Sequence, residues 1–115
     1  MFSSEEIMSA TEKTAVDMIR TNIANSDTWL ARGIVAIYNK QTNDEKQSEN
    51  TKYNNSVGFG AMDAQILSSF AVQCQRWLNG QSKYNAPLSN NQSVIARRLM
   101  KKYAGQLLKI AKGNV

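Results

Sequence analysis

The chain has 115 residues, with fourteen Lys and Arg against nine Asp and Glu, a net charge of +5, no histidine and one cysteine. That length fits one domain, and 42% hydrophobic residues are enough to furnish its core. The absence of histidine removes Ser-His-Asp and Cys-His catalysis and the commonest metal ligand, while a lone cysteine makes neither an internal disulfide nor a thiolate zinc site.

No run of about 18 apolar residues occurs, so no membrane span is expected. The first ten residues, MFSSEEIMSA, are acidic where a signal peptide is basic. The expectation is a cytoplasmic protein. Charge is split along the chain. Residues 1–63 carry −3, residues 64–115 carry +8, and Asp63 is the last acid. Such asymmetry points to nucleic acid or an acidic surface as partner.

Apolar residues recur at helical spacing in four stretches. The first covers residues 4–24. Ser3 and Glu6 fit a capping box, and Ile7, Thr11, Ala15 and Met18 share a face. The second covers 28–46, capped by Ser26 or Asp27. Trp29, Leu30, Gly33, Ile34, Ala36 and Ile37 lie on one broad side, with Gly33 suited to a close helix approach. The third covers 62–79. Its apolar arc holds Ile66, Leu67, Phe70, Ala71, Cys74, Trp77 and Leu78, and Gly80 fits a C-terminal cap. Within that arc Cys74 reads as a small core residue.

The fourth covers 90–112, with Ser89 and Gln92 as a second capping box. Ile95, Leu99, Tyr103, Leu107 and Ile110 fall within about 120° of the wheel. Arg97, Arg98, Lys101, Lys102, Lys109 and Lys112 occupy the other side, with Gly105 among them. Between the second and third stretches runs TNDEKQSENTKYNNSVGFG, residues 42–60, and residues 43–56 hold no aliphatic side chain. Loops of such length in a small domain tend to be functional or disordered. The expected fold is therefore an all-α bundle of about four helices, with an acidic N-terminal part at 1–28 and a polar loop at 43–60.

Carboxylates remain as a conceivable site. Asp44 and Glu45 are adjacent, which on a helix points them about 100° apart. Only a site assembled from Asp17, Asp27, Asp44 or Asp63 in three dimensions would serve, so a non-catalytic protein without cofactor or metal is expected. Gly58-Phe59-Gly60 precedes a helix. Its amides suit a phosphate, or else a tight turn that plugs Phe59 into the core. No strand precedes it and no Lys-Ser/Thr follows, so it is not a P-loop.

The stretch RRLMKKYAGQLLKIAK, residues 97–112, holds six cations and no acid. Arg97–Lys101 and Arg98–Lys102 are like-charged i,i+4 pairs, each unfavourable by a few tenths of a kcal/mol. Three explanations stand: a nucleic-acid phosphate backbone, internal pairing with Glu5, Glu6, Glu12 and Asp17 of the first helix, or an acidic protein surface. Lys52-Tyr53 and Lys83-Tyr84 form a repeated lysine-tyrosine pattern in polar context, suited to base stacking beside a phosphate contact. No RNP motif, zinc finger or clear helix-turn-helix is present, so sequence-independent binding is expected.

The segment WLARGIVAIY with Gln41-Thr42, then Val57-Gly58-Phe59, Asp63-Ala64, Leu67-Ser68-Ser69-Phe70-Ala71, Leu88-Ser89, Gln92, Ala96-Arg97, Met100 and Lys102-Tyr103-Ala104-Gly105-Gln106-Leu107, resembles a small domain family associated with bacteriophages and bacterial mobile elements. A related pattern accompanies helicase-like proteins. The likeness covers residues 29–107. Where the family pattern has Asn-Gly before Val-Gly-Phe, this chain has Asn55-Ser56. The resemblance implies a phage setting, host cytoplasm and contact with DNA transactions, and it supplies no catalytic residue. The expected function is thus non-catalytic nucleic-acid binding, DNA favoured over RNA, through Arg97, Arg98, Lys101, Lys102, Lys109 and Lys112. Lys52, Tyr53, Lys83, Tyr84, Gly58 and Gly60 are secondary contacts. The alternative is a counter-defence inhibitor of anti-CRISPR or anti-restriction type that binds a host protein complex.

Overall fold

The computed structural model describes residues 2–47 and 58–113, and every regular element among them is helical. The order is α1 (Ser4–Ser9), α2 (Glu12–Asn25), α3 (Asp27–Gln47), α4 (Ala64–Leu78), α5 (Asn90–Met100), a 3₁₀ turn (Lys101–Tyr103) and α6 (Ala104–Ala111). The all-α class expected from periodicity holds.

The first expected helix is two helices. α1 begins with the Ser3–Glu6 capping box and stops at Ala10, whose backbone is extended. Thr11 then starts α2, its hydroxyl accepting from the Thr14 N–H. Thr11 therefore serves as a cap and is exposed rather than part of the apolar face. Ile7, Ala15, Ile19 and Ile23 supply the buried side. Asn22 is fully buried among them. Its amide satisfies itself on the Phe2 backbone, accepting from Phe2 N–H at 2.9 Å and donating to Phe2 C=O at 2.8 Å. A buried amide without such partners would be strongly unfavourable, so this pair ties the N-terminal residues to α2.

Ser26 caps α3 by accepting from Trp29 N–H. The helix extends to Gln47, so the first residues of the expected polar loop are helical. Residues 48–57 of that loop lie outside the described residues. α3 is central: it packs on α2, α4, α5 and α6. Leu30, Ala31, Ile34 and Ile37 are fully buried along it. A Cβ on Gly33 would sit 3.2 Å from Leu107 Cδ1 and 3.4 Å from the Met100 methyl. The glycine thus admits the α5–α6 side chains against the α3 backbone, as its place on the apolar side implied.

α4 buries the expected arc through Leu67, Phe70, Ala71 and Cys74. Burial pushes the Cys74 thiol up to about 12, which leaves it a neutral core side chain. Gly80 ends the helix in the left-handed region with φ 73°. Gly80 N–H bonds Trp77 C=O and Gln81 N–H bonds Arg76 C=O, the Schellman pattern.

The last expected helix is interrupted. α5 opens on the Ser89–Gln92 capping box, then the chain tightens into the 3₁₀ turn before α6. Its deepest residues are Ala96, Met100, Tyr103, Ala104 and Leu108. Ile95, Leu99, Leu107 and Ile110, expected to form the core stripe with Tyr103, pack at its margin. Ala96 and Ala104 share the innermost positions with the larger Met100, Tyr103 and Leu108, because the two alanines let the backbone approach its neighbours closely.

Candidate functional site

Gly58-Phe59-Gly60 enters the bundle between α3 and α4 and meets the 3₁₀ turn. Gly58 takes φ 128°, a region natural to glycine. Its N–H donates to Gln106 Oε1 at 2.8 Å, and Gln106 Nε2 returns a bond to Gly58 C=O at 3.1 Å. Phe59 N–H donates to Gln41 Oε1 and Gly60 N–H to Tyr103 OH, each at 2.8 Å. The Phe59 ring is buried and meets Tyr103 edge-on, centroids 5.6 Å apart. All three successive amides are therefore taken by side-chain oxygens. This corrects the expectation of a phosphate contact at Gly58 and Gly60, because an anion there would have to displace three internal acceptors. The tight-turn reading, with Phe59 in the core, is the observed arrangement.

Asp63 completes this polar clamp. It stands at the N-cap position of α4 but makes no capping bond. Instead Asp63 Oδ2 accepts from Lys102 Nζ at 2.6 Å and from Tyr103 OH at 2.7 Å. Lys102 and Tyr103 are consecutive in the over-wound turn, yet both reach one carboxylate oxygen. The Lys102 bond, seconded by the Tyr103 bond, holds the Asp63 carboxyl below the usual carboxylate range against the opposing effect of burial. Burial, then the hydrogen bond to Asp63, raises the Tyr103 phenol.

The six cations of residues 97–112 divide between inside and outside. Arg97 Nε donates to Ile23 C=O at 3.1 Å, near the C-terminal end of α2, and its terminal nitrogen pairs with Asp27 at 2.6 Å. Lys102 pairs with Asp63, although its side chain remains 59% exposed. Arg98, Lys101, Lys109 and Lys112 are exposed and form no salt bridge among the described residues. Internal pairing is thus real for two cations, but Asp27 and Asp63 provide it. Asp17 of α2 pairs with Arg20 in its own helix, and Glu5, Glu6 and Glu12 form no described salt bridge with the basic stretch. Arg20 also donates to Lys101 C=O at 3.1 Å, taking a carbonyl at the helix interruption.

Gly105, Lys109 and Lys112 follow one another at i, i+4 and i+7, within about 60° on α6 by helical geometry. Lys101 and Lys102 lie one turn earlier. A Cβ on Gly105 would meet nothing within 4 Å, so the glycine leaves a low point among the cations. Lys83 and Tyr84 sit apart, in the connection from α4 to α5. Tyr84 is 70% exposed, and Lys83 Nζ lies 5.8 Å from its ring centroid. Lys52 and Tyr53 lie outside the described residues. Asp17, Asp27 and Asp63 each pair with a different cation and form no common carboxylate site.

Periodicity does not reveal the clamp. Gln41, Asp63, Tyr103 and Gln106 belong to it, and they come from separate segments that meet only in the folded chain. Comparison of the chain with family models, curated proteins and solved structures finds no match.

Proposed function

We propose that this protein is a non-catalytic, largely sequence-independent nucleic-acid-binding protein, with Arg98, Lys101, Lys109 and Lys112 meeting the phosphate backbone. One observation carries the reading: these four side chains project from the acid-free half of the chain and have no described anionic partner. Their mutual repulsion is relieved by a polyanion, and each phosphate contact releases condensed counterions. Lys102 joins them as a shared residue, bonded to Asp63 yet mostly exposed. Arg97 acts behind the face by joining α5 to α2 and α3. Lys83 and Tyr84 provide a separate exposed pair suited to a stacked base. The resemblance to a phage-associated family agrees with DNA as the polyanion.

The test is fluorescence anisotropy with labelled single- and double-stranded DNA and RNA over a salt series. Four phosphate contacts give a log K against log salt slope of about −3 to −4. Absence of binding at low salt to all four nucleic acids would remove the reading.

A further inference from the structure

A second surface lies on a different part of the molecule. An open cavity of about 310 Å³ is bounded by α1, α3 and α6, with Ile19 of α2 contributing. That volume is at the lower end of small-ligand clefts. Ile7 and Ile19 are buried residues that line it, with Trp29, Leu107 and Ile110 around them. Ala36, with little bulk of its own, leaves space on the α3 side, while at Gly33 the Leu107 side chain packs close to the backbone.

Among the described residues, Arg32 is the only ionisable residue lining it. Its side chain is exposed, and it makes no hydrogen bond or ion pair among the described residues. A guanidinium beside an apolar floor suits a planar carboxylate that accepts two parallel N–H bonds, attached to an apolar body that fits a groove of this size. A hydrated polyanion would gain nothing from Trp29, Leu107 and Ile110, and a neutral apolar molecule would leave Arg32 unused.

We infer that this groove binds a small amphipathic monocarboxylate, its apolar chain on Trp29, Leu107 and Ile110 and its carboxylate on Arg32. The site is separate from the cationic face and does not rest on the nucleic-acid reading. Trp29 lines the groove, so its emission reports occupancy, whereas Trp77 belongs to α4 and does not line it.

The probe is octanoate, compared with octanol and octylammonium, titrated calorimetrically into the full chain and followed in parallel by tryptophan emission. Octanoate is expected to bind saturably and up to about fivefold more tightly than octanol, the size of one solvent-exposed ion pair. Octylammonium is expected to bind most weakly. Arg32→Gln should bring octanoate down to the octanol level without lowering the melting temperature. Ala111→Phe, a change at an exposed lining residue, should weaken both ligands together. No saturable heat with octanoate overturns the proposal. So does equal affinity for octanoate and octanol in the unsubstituted protein, or a preference for octanoate that survives Arg32→Gln.

Discussion

At the scale of single residues, Tyr103 joins more of the molecule than its sequence context suggests. Its ring packs on Phe59, while its hydroxyl donates to Asp63 and accepts from Gly60. Tyr103→Phe keeps the ring but leaves the Gly60 amide without its acceptor and Asp63 with one bond fewer. A loss of about 1–3 kcal/mol is expected in denaturant unfolding. Asp63 makes a pH prediction with a definite sign. Its folded pKa is lowered, so its contribution is complete above the ordinary aspartate value of about 3.9 and is lost as pH falls below that value through the folded one. Tyr103 is raised; its contribution is complete below the ordinary tyrosine value of about 10 and is lost as pH rises through the folded one. Asp63→Asn should therefore flatten the acid side of a stability–pH curve relative to the unsubstituted protein, whereas an unchanged acid limb would disprove the Asp63 assignment. Gly105→Ala tests the open position on α6. With no neighbour to meet the new Cβ, it should stabilise the protein by up to about 1 kcal/mol through helix propensity.

At the scale of elements, the caps were legible because they are local. Ser3 with Glu6, Ser89 with Gln92, and Gly80 each act within a few residues, so spacing alone exposes them. Ser89→Ala should cost about 1 kcal/mol, read by thermal melting. The break at Ala10 and the 3₁₀ turn at Lys101–Tyr103 were not legible as periodicity. The first depends on Thr11 choosing to cap, and the second on contacts from distant segments: Arg20 on the Lys101 carbonyl and Asp63 on Lys102 and Tyr103. The same distant contacts explain the tolerated like-charge pairs. Each of Arg97–Lys101 and Arg98–Lys102 has one member neutralised from another element, Arg97 by Asp27 and Lys102 by Asp63. Periodicity places the inner face of α5–α6 one step off, because hydropathy ranks Ile95 and Leu99 above Ala96 while close packing admits the small side chain.

At the scale of the whole molecule, the all-α class and the basic C-terminal surface follow from the sequence, since composition and 3.6-residue periodicity carry both. The partition of the cations does not, because it depends on which acids the bundle brings near. Asp27 begins α3 and Asp63 precedes α4, yet both reach the C-terminal helices. This division separates cohesion from the binding role proposed above. Arg97 and Lys102 join elements, while Arg98, Lys101, Lys109 and Lys112 form no salt bridge among the described residues. The direct measurement is the salt slope of DNA binding for two multiple variants beside the unsubstituted chain. Changing Arg98, Lys101, Lys109 and Lys112 to Gln should take the slope from about −3 to −4 towards zero, while Arg97→Gln with Lys102→Gln should retain most of it. A slope unaffected by the fourfold change, or lost mainly in the twofold variant, would contradict the division.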